Sequence, residues 1–319
     1  MAIIINLPDI INSIKNIDVV AAIENGFIAY SNQQTVVPPV GELLFEDPPG
    51  DVHIKYGYIK KEDFYVIKIA SGFYNNPKLG IASSQGMMLL FNQKTGQLTA
   101  ILLDEGYLTD IRTAAAGAVA AKYFAPKKVN AIGILGTGIQ ARLQLQFLQK
   151  SVPCKTVWVW GRTLKNAEKF KAELNNDFDI HIAKTPAEIA KHCNLIVTTT
   201  PSDTILLAST KIQSGTHITA VGSDTPNKQE LESAILQKAD LVIADSIAQS
   251  KSRGEIYHAV KDGVISLKKI TELGAAIQNP NLQRTNDAQI TIVDLTGVAV
   301  QDIKIATAVY QYYKINNIK

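Results

Sequence analysis

The segment AIGILGTGIQAR, residues 131–142, carries a short apolar run into Gly136-Thr137-Gly138 and on into an amide-rich, helix-like stretch. A Gly-x-Gly-x-x-Ala pattern between a strand and a helix can cradle a pyrophosphate. Gly136 permits the tight turn, Gly138 lets backbone N–H groups approach the phosphates, and small Ala141 lets strand and helix pack closely. The helix opening at Ile139 and Gln140 then offers partial positive charge to the anion. A tight strand-to-helix turn with no ligand would use the same glycines. The next strand ends in VWVWGRT. NAD-selective sites place an acid at that strand end, where it accepts from the ribose 2′-hydroxyl. Gly161 stands there instead, followed by Arg162 and Thr163, and a guanidinium with a hydroxyl suits a 2′-phosphate. NADP is therefore favoured over NAD, unless Arg162 is a solvated loop residue and either cofactor binds.

Charges stand at four further places. Lys68 lies mid-strand in YVIKIAS, either on a wet face or in a pocket. Arg112 lies in an Ala-rich helix whose small neighbours leave its side chain room to project, as an exposed arginine or as an anion clamp. Asp224 follows the strand THITAVG in GSDTPNKQEL; there it faces the crevice where open α/β sheets bind ligands, or it makes a turn and caps a helix starting near Pro226. His53 and Lys55, in DVHIKYGYI, alternate onto one face of a strand, and that face is either solvated or a pocket wall.

The elements that must position these residues fall into two textures. The first 125 residues mix strands and helices. IKNIDVVAAIENGFIAY has helical spacing, FYVIKIA alternates as a strand, and GMMLLFNQKTGQLTAILLD reads as a hairpin turning at Gly96. Thr109 is expected to cap the helix DIRTAAAGAVAAKYFA, which stops at Pro126. From Lys127 onward, NAIGIL, TVWVW, DIHIA, NLIVTTT, GTHITAVG and ADLVIAD are short β-branched runs separated by helical stretches. They predict a doubly wound parallel sheet. The last helix, VQDIKIATAVYQYYKI, carries aromatics at 310, 312 and 313 that want a core, and is expected to pack back onto the first domain.

Composition sets the bounds. A chain of 319 residues, 46% hydrophobic and 19% charged, suits two folded domains. Its net charge of +3 comes from interspersed residues, with no basic block for nucleic acid or a membrane surface. Two cysteines, Cys154 and Cys193, allow neither a disulfide framework nor a cysteine metal cluster, so no metal is expected. The start shows no basic n-region or cleavage site, and no run reaches the roughly 20 apolar residues of a membrane span. A cytoplasmic protein is expected.

VIKIASGFYNNPKLG, LTDIRTAAAGAVAAKYFAP, GILGTGIQAR, VWVWGRT, IVTTTPS, GSDTPNKQEL, VIADS with a following GEI, and LTGVAVQDI occur in this order. Together they make the chain similar, over nearly its whole length, to the ornithine cyclodeaminase/μ-crystallin family. The resemblance implies a discontinuous α/β substrate-binding and dimerisation domain, residues 1–125 with 299–319, a Rossmann domain, residues 126–298, and a homodimer. It places the substrate-carboxylate lysine at Lys68, its partner at Arg112, a small pocket hydroxyl at Ser83 and the proton-transfer acid at Asp224. It also sets the loop Thr198 to Pro201, including Thr199 and Thr200, with Val221, Gly222, Ser223, Thr296 and Gly297, around the nicotinamide.

Two departures concern substrate. Val40 stands where ornithine-specific members have a further carboxylate-binding arginine, and His53, with Lys55 two residues on, stands where they hold the substrate amine with a glutamate. An amine-bearing side chain would lose its counter-charge there, while an extra substrate carboxylate would gain one. The resulting expectation is an oxidoreductase moving a hydride between NAD(P)H and the α-carbon of a cyclic or linear 2-imino acid or amino acid, of the ketimine reductase or amino acid dehydrogenase type. The alternatives are a cyclodeaminase, an ammonia-lyase with bound NAD, and a μ-crystallin-like protein that binds a small ligand.

Overall fold

The computed structural model describes residues 2–73 and 75–317, so Tyr74, inside one of the stretches quoted above, lies outside the described residues. The chain divides into two compact units, Met1–Arg112 with Val298–Lys319, and Thr113–Gly297.

In the first unit, strands β1 (Ile3–Asn6), β2 (Thr35–Val36), β3 (Gly41–Phe45), β4 (Gly50–Ile59), β5 (Phe64–Phe73), β6 (Ser84–Asn92) and β7 (Leu98–Leu103) form one sheet. Its order is β1-β7-β6-β5-β4-β2, with β3 also on β4. β4 to β7 run as an antiparallel meander, and β1 joins β7 in parallel. The β6–β7 turn places Gly96 at φ 70°, as a tight hairpin requires. Helices α1 (Leu7–Lys15) and α2 (Val19–Ser31) follow β1, and Asp18 caps α2 by accepting from the Ala21 amide at 3.0 Å. The C-terminal helix, Ala299–Asn317, packs against α2 and β4 to β6. Val66, Met88, Leu90, Ala100 and Leu102 are buried on the sheet, and Ile23, Phe27, Ile303 and Ala306 on the helices. Of the three C-terminal aromatics only Tyr310 is buried, edge-on to Phe64 with centroids 5.2 Å apart; Tyr312 and Tyr313 are half-buried.

Helix α3 (Tyr107–Phe124) starts two residues before Thr109, which therefore does not cap it. Gly106 turns the chain at φ 86°, and the Asp104 carboxylate accepts from the Leu108 amide at 2.8 Å, doing the capping instead. The division between the units falls inside α3, after Arg112, rather than after residue 125. The later half belongs with the second unit for a packing reason. Gln144 donates to the Thr113 carbonyl at 3.0 Å and covers Gly117, while Arg284 and Thr291 donate to the Phe124 carbonyl at 2.6 and 3.0 Å. Its alanines are all buried, which explains a helix with little amphipathic pattern.

The second unit is an eight-stranded parallel sheet: β8 (Ile132–Leu135), β9 (Thr156–Trp160), β10 (Asp179–Ile182), β11 (Leu195–Thr198), β12 (His217–Ala220), β13 (Leu241–Ala244), β14 (Ile270–Glu272) and β15 (Thr291–Asp294). Its order is β10-β9-β8-β11-β12-β15-β13-β14, so the winding reverses between β8 and β11. Ligands of open parallel sheets bind outside the carboxyl ends of the strands at such a switch point. Helices α4 (Ile139–Leu148), α5 (Leu164–Leu174) and α6 (Pro186–His192) connect the first strands, and α7 (Ser233–Lys238), α8 (Glu255–Lys261) and α9 (Leu273–Gln278) the later ones. The sequence reading found six of these strands and missed β14 and β15, as it missed β1 and β2 in the first unit. No helix begins near Pro226: residues 225–228 form a turn, and Leu231 bridges to Leu207 before α7 starts. No helix among the described residues is long and apolar enough to cross a membrane.

Candidate functional site

The glycine turn has the geometry its sequence implied. The Gly136 amide donates to the Trp160 carbonyl at 2.8 Å with φ 120°, and a Cβ there would meet the Thr199 hydroxyl at 2.4 Å. Only glycine fits that approach between the ends of β8 and β11. Gly138 leads into α4, which has no side-chain cap, and a Cβ at Gly138 would meet nothing within 4 Å. An uncapped start to a ten-residue helix beside open space at Gly138 fits a pyrophosphate. Arg142 braces the turn by donating to the Thr137 and Gly138 carbonyls, while its Nε pairs with Glu173 at 2.5 Å. Beyond β9, Thr137 packs on Gly161, Arg162 and Thr163 are exposed, and the first turn of α5 has no acidic residue. Nothing anionic on that strand end opposes a phosphate.

The segments after β11, β12 and β15 are fixed from beneath. Thr199 donates through N and Oγ1 to the Leu135 carbonyl at 2.8 and 2.9 Å. Thr200 donates through both its amide and its hydroxyl to Glu230 Oε1, each at 2.7 Å. The Val221 amide reaches the Thr198 carbonyl at 3.0 Å, and the Gly222 amide reaches Glu230 Oε2 at 3.1 Å. Ser223 donates its hydroxyl to the Lys228 carbonyl. Thr296 Oγ1 and the Gly297 amide donate to the two Asp245 oxygens at 3.0 and 2.7 Å. Asp224 stands at the end of β12 with its side chain half-exposed, and Lys228 Nζ donates to it at 2.7 Å.

In the first unit, Lys68 and Arg112 are 2% and 5% exposed. Asp302, itself 1% exposed, lies 3.1 Å from Arg112 Nε and 3.9 Å from Lys68 Nζ. Arg112 Nη1 donates to Gln301 Oε1 at 3.1 Å. The Arg112–Asp302 contact is an ion pair by distance but is not aligned as a hydrogen bond, so Arg112 Nε and both Asp302 oxygens lack an aligned partner, and so does Gln301 Nε2. Buried groups of this kind cost about 1–3 kcal/mol each when unmatched. Asp104 is a further buried acid near Lys68, pushed up to about 6 by burial against the pull of its amide donors and that ammonium.

The register of β4 and β5 puts Lys55 directly opposite Lys68, and Lys55 too is buried. His53 lies farther along β4, 3.5 Å from both Glu42 Oε1 and Asp51 Oδ1. Ser83 is half-buried, and its carbonyl accepts from the Phe73 amide at 2.9 Å. The structure thus gathers Lys68, Arg112 and Lys55 in one unit, and the glycine turn, Thr199, Thr200, Gly222, Ser223 and Asp224 at one edge of the other. Sequence reading missed Asp302 and Gln301, Asp104, Glu230, Lys228, and the carboxylates Glu42 and Asp51 around His53. Three of these were visible as the QD of LTGVAVQDI and the E of NKQEL, charged or amide residues closing otherwise apolar or looped motifs.

The chain matches the sequence profile of the ornithine cyclodeaminase/mu-crystallin family over residues 4–317. It is 40% identical over 300 residues to the uncharacterized cyclodeaminase y4tK of Sinorhizobium fredii, covering 93% of this chain and 91% of that protein. An archaeal alanine dehydrogenase dimer with bound NAD superposes with a TM-score of 0.90 at 31% identity, covering 99% and 97% of the two chains. The Thermococcus litoralis Δ1-pyrroline-2-carboxylate reductase, in complex with NADH and L-proline, gives 0.90 at 27% identity, covering 98% and 97%.

Buried carboxyls line the same strand ends of the second unit. Burial pushes Asp294 up to about 8 and Glu230 to about 7, and Glu255 is raised as well by burial and by the neighbouring acids. His217, pushed down to about 3 by burial, stays neutral across this range. These acids hold their protons more tightly folded than unfolded, so the stability they contribute is present in acid and lost as pH rises through about 7 to 8. Thermal melts are expected to show a higher midpoint at mildly acidic pH than at mildly alkaline pH, with a flatter slope in Asp294→Asn. An unchanged slope in that variant would show that Asp294 does not titrate in the window.

Proposed function

Because the chain belongs to the ornithine cyclodeaminase/mu-crystallin family, we propose that it is an NAD(P)-dependent oxidoreductase reducing a cyclic or linear 2-imino acid to the amino acid, or catalysing the reverse. The observation that carries this reading is the enclosed cluster at Lys68. Arg112 Nε and Gln301 Nε2 are buried donors without an aligned acceptor, beside a buried ammonium. A substrate carboxylate would supply the missing acceptors. Lys68 acts on it as a point charge and Arg112 as a planar fork, so two different oxygens are held. The reactions named for the alanine dehydrogenase and the pyrroline-carboxylate reductase support the same class.

Bound NAD(P)H supplies the hydride of the reduction. The chain's own part is to hold the acid group, to hold the cofactor at the glycine turn, and to manage one proton. Asp224 gives or takes that proton at the substrate nitrogen as the adjoining carbon changes hybridisation, and Lys228 steadies its carboxylate. NADP(H) is the preferred cofactor because Arg162 and Thr163 are exposed at the end of β9 with no acid beside them. Lys55, buried opposite Lys68, favours substrates whose side group is neutral or anionic. The functional unit is a homodimer. The sheet face carrying Tyr56, Leu103 and the stacked Tyr65–Phe91 pair is only partly covered and offers apolar surface to a second copy.

A second reading has one observation in its favour. Glu42 and Asp51 bracket His53, so carboxylates stand near the place where an amine would be held even though the aligned residue is not an acid. That arrangement suits a cyclodeaminase acting on ornithine with bound NAD.

Incubation with NADPH or NADH and Δ1-pyrroline-2-carboxylate, Δ1-piperideine-2-carboxylate, or pyruvate with ammonia or methylamine is expected to consume cofactor, in a preparation that sediments as a dimer. Ammonia release from ornithine with NAD and no net cofactor change would overturn the reductase in favour of the lyase. Asp224→Asn is expected to keep cofactor affinity and to lower turnover at least about ten-fold, the low end for losing a positioned proton donor; unchanged turnover would remove Asp224 from the mechanism. Arg162→Ala is expected to weaken NADPH more than NADH in fluorescence titrations, and equal weakening would mean that no 2′-phosphate is read there.

A further inference from the structure

We propose that Glu230 is a positioning residue for the reaction: its carboxylate clamps the segment after β11 to the segment after β12 and so aims the loop that carries Asp224. The inference rests on the reading of Asp224 given above.

β11 and β12 are neighbours in parallel register, ending at Thr198 opposite Ala220. Their ladder closes with the Val221 amide on the Thr198 carbonyl. Beyond it the two chains would separate, and there the Glu230 carboxylate replaces the ladder. Oε1 takes the Thr200 amide and hydroxyl, and Oε2 takes the Gly222 amide. Bonds from neutral donors to a carboxylate are among the stronger ones a protein makes. Gly222 is the only residue type that admits this approach, since a Cβ would lie 2.5 Å from Glu230 Oε2 and 2.2 Å from the Thr200 carbonyl.

The clamp is itself held rigidly. Glu230 is fully buried, its amide donates to Glu255 Oε1 at 2.8 Å, and its carbonyl accepts from the Leu206 and Leu207 amides at 2.8 and 3.1 Å. Chain direction supplies the functional consequence. The backbone leaves the sheet at Gly222, carries Asp224 outward, and returns at Glu230. The Glu230–Gly222 bond therefore closes a loop with Asp224 on it, and the Ser223 hydroxyl on the Lys228 carbonyl and Lys228 on Asp224 are cross-ties inside that loop. A carboxylate needed only for folding could stand anywhere in the sheet. This one stands where the loop bearing the proton-transfer acid is pinned to the loop beside the glycine turn.

Glu230→Gln tests the idea. The amide keeps an oxygen for Thr200 but turns an NH2 toward the Gly222 N–H, so the Asp224 side alone is released. Amide hydrogen exchange at Gly222 and through residues 223–229 is expected to accelerate at least about ten-fold, while the core strands stay protected. Turnover is expected to fall at least about ten-fold with the KM values little changed, and to fall by less than about two-fold when Glu230→Gln is made in Asp224→Asn, because the two residues act through one loop. Equal losses in both backgrounds, or unchanged exchange at Gly222, would overturn the inference. Should Glu230→Gln not fold, Gly222→Ala, which drives a Cβ against the same carboxylate, is expected to give the same exchange and coupling pattern, and its failure to do so overturns the inference equally. A wild-type protein that reduces no imino acid would sink the functional reading alone; the exchange measurement would still decide the role of Glu230.

Discussion

Asp302 faces two buried cations at once, and the burial of Lys68 and Arg112 depends on it. Bringing a charge out of water costs several kcal/mol even after relaxation, and removing one member of a buried pair leaves the other unmatched. Asp302 and Gln301 sit at the start of the C-terminal helix, 189 residues along the chain from Arg112 for the Gln301 contact. This gives the discontinuity of the first unit a physical purpose. The last helix of the chain returns to the first sheet and brings with it the counter-charge that allows a lysine and an arginine to stand inside. The pairing is incomplete in its hydrogen bonds, with donors on Arg112 and Gln301 and acceptors on Asp302 left without aligned partners.

The second unit solves a different problem. Its parallel strands end in a row of glycines and small hydroxyl residues, which lets backbone and ligand approach closely but leaves the emerging segments with few side chains to hold them. Buried carboxylates take over. Glu230 spans β11 and β12, Glu255 holds the Glu230 and Leu231 amides, Asp294 holds the Ile256 amide, and Asp245 holds Thr296 and Gly297. Each accepts backbone N–H groups that no ladder reaches. Burial raises Glu230, Glu255 and Asp294, neighbouring acids add to it for the last two, and the edge is consequently sensitive to pH.

Much of this was legible along the chain. The glycine turn, six of the second unit's strand runs, the missing acid after VWVW and the hairpin at Gly96 are local patterns. Each is set by what a few consecutive residues can do with their backbone. The cap of α3 was misread for an equally local reason: Thr109 is a good capping type, but Asp104 and Gly106 start the helix earlier, and two adjacent capping signals look alike without coordinates. The environment of His53 stayed open between solvent and pocket in the sequence because Glu42 comes from β3, a strand whose pairing with β4 no local pattern announces. Lys68 and Arg112 were ambiguous between wet face and pocket because burial belongs to what covers a residue, and what covers these two is a helix from the far end of the chain.

Sequence alone determined the local geometry: where a glycine turn opens a helix, where a strand end lacks an acid, and which charged residues break apolar runs. Backbone stereochemistry is carried by near neighbours, so it is written in order along the chain. Tertiary structure decided the charge states and the partners. It placed Asp302 between Lys68 and Arg112, set Lys55 across from Lys68, and locked the strand ends with Glu230. Electrostatic energy depends on distance through space and on exclusion of water, and neither quantity is fixed until elements far apart in sequence have packed together.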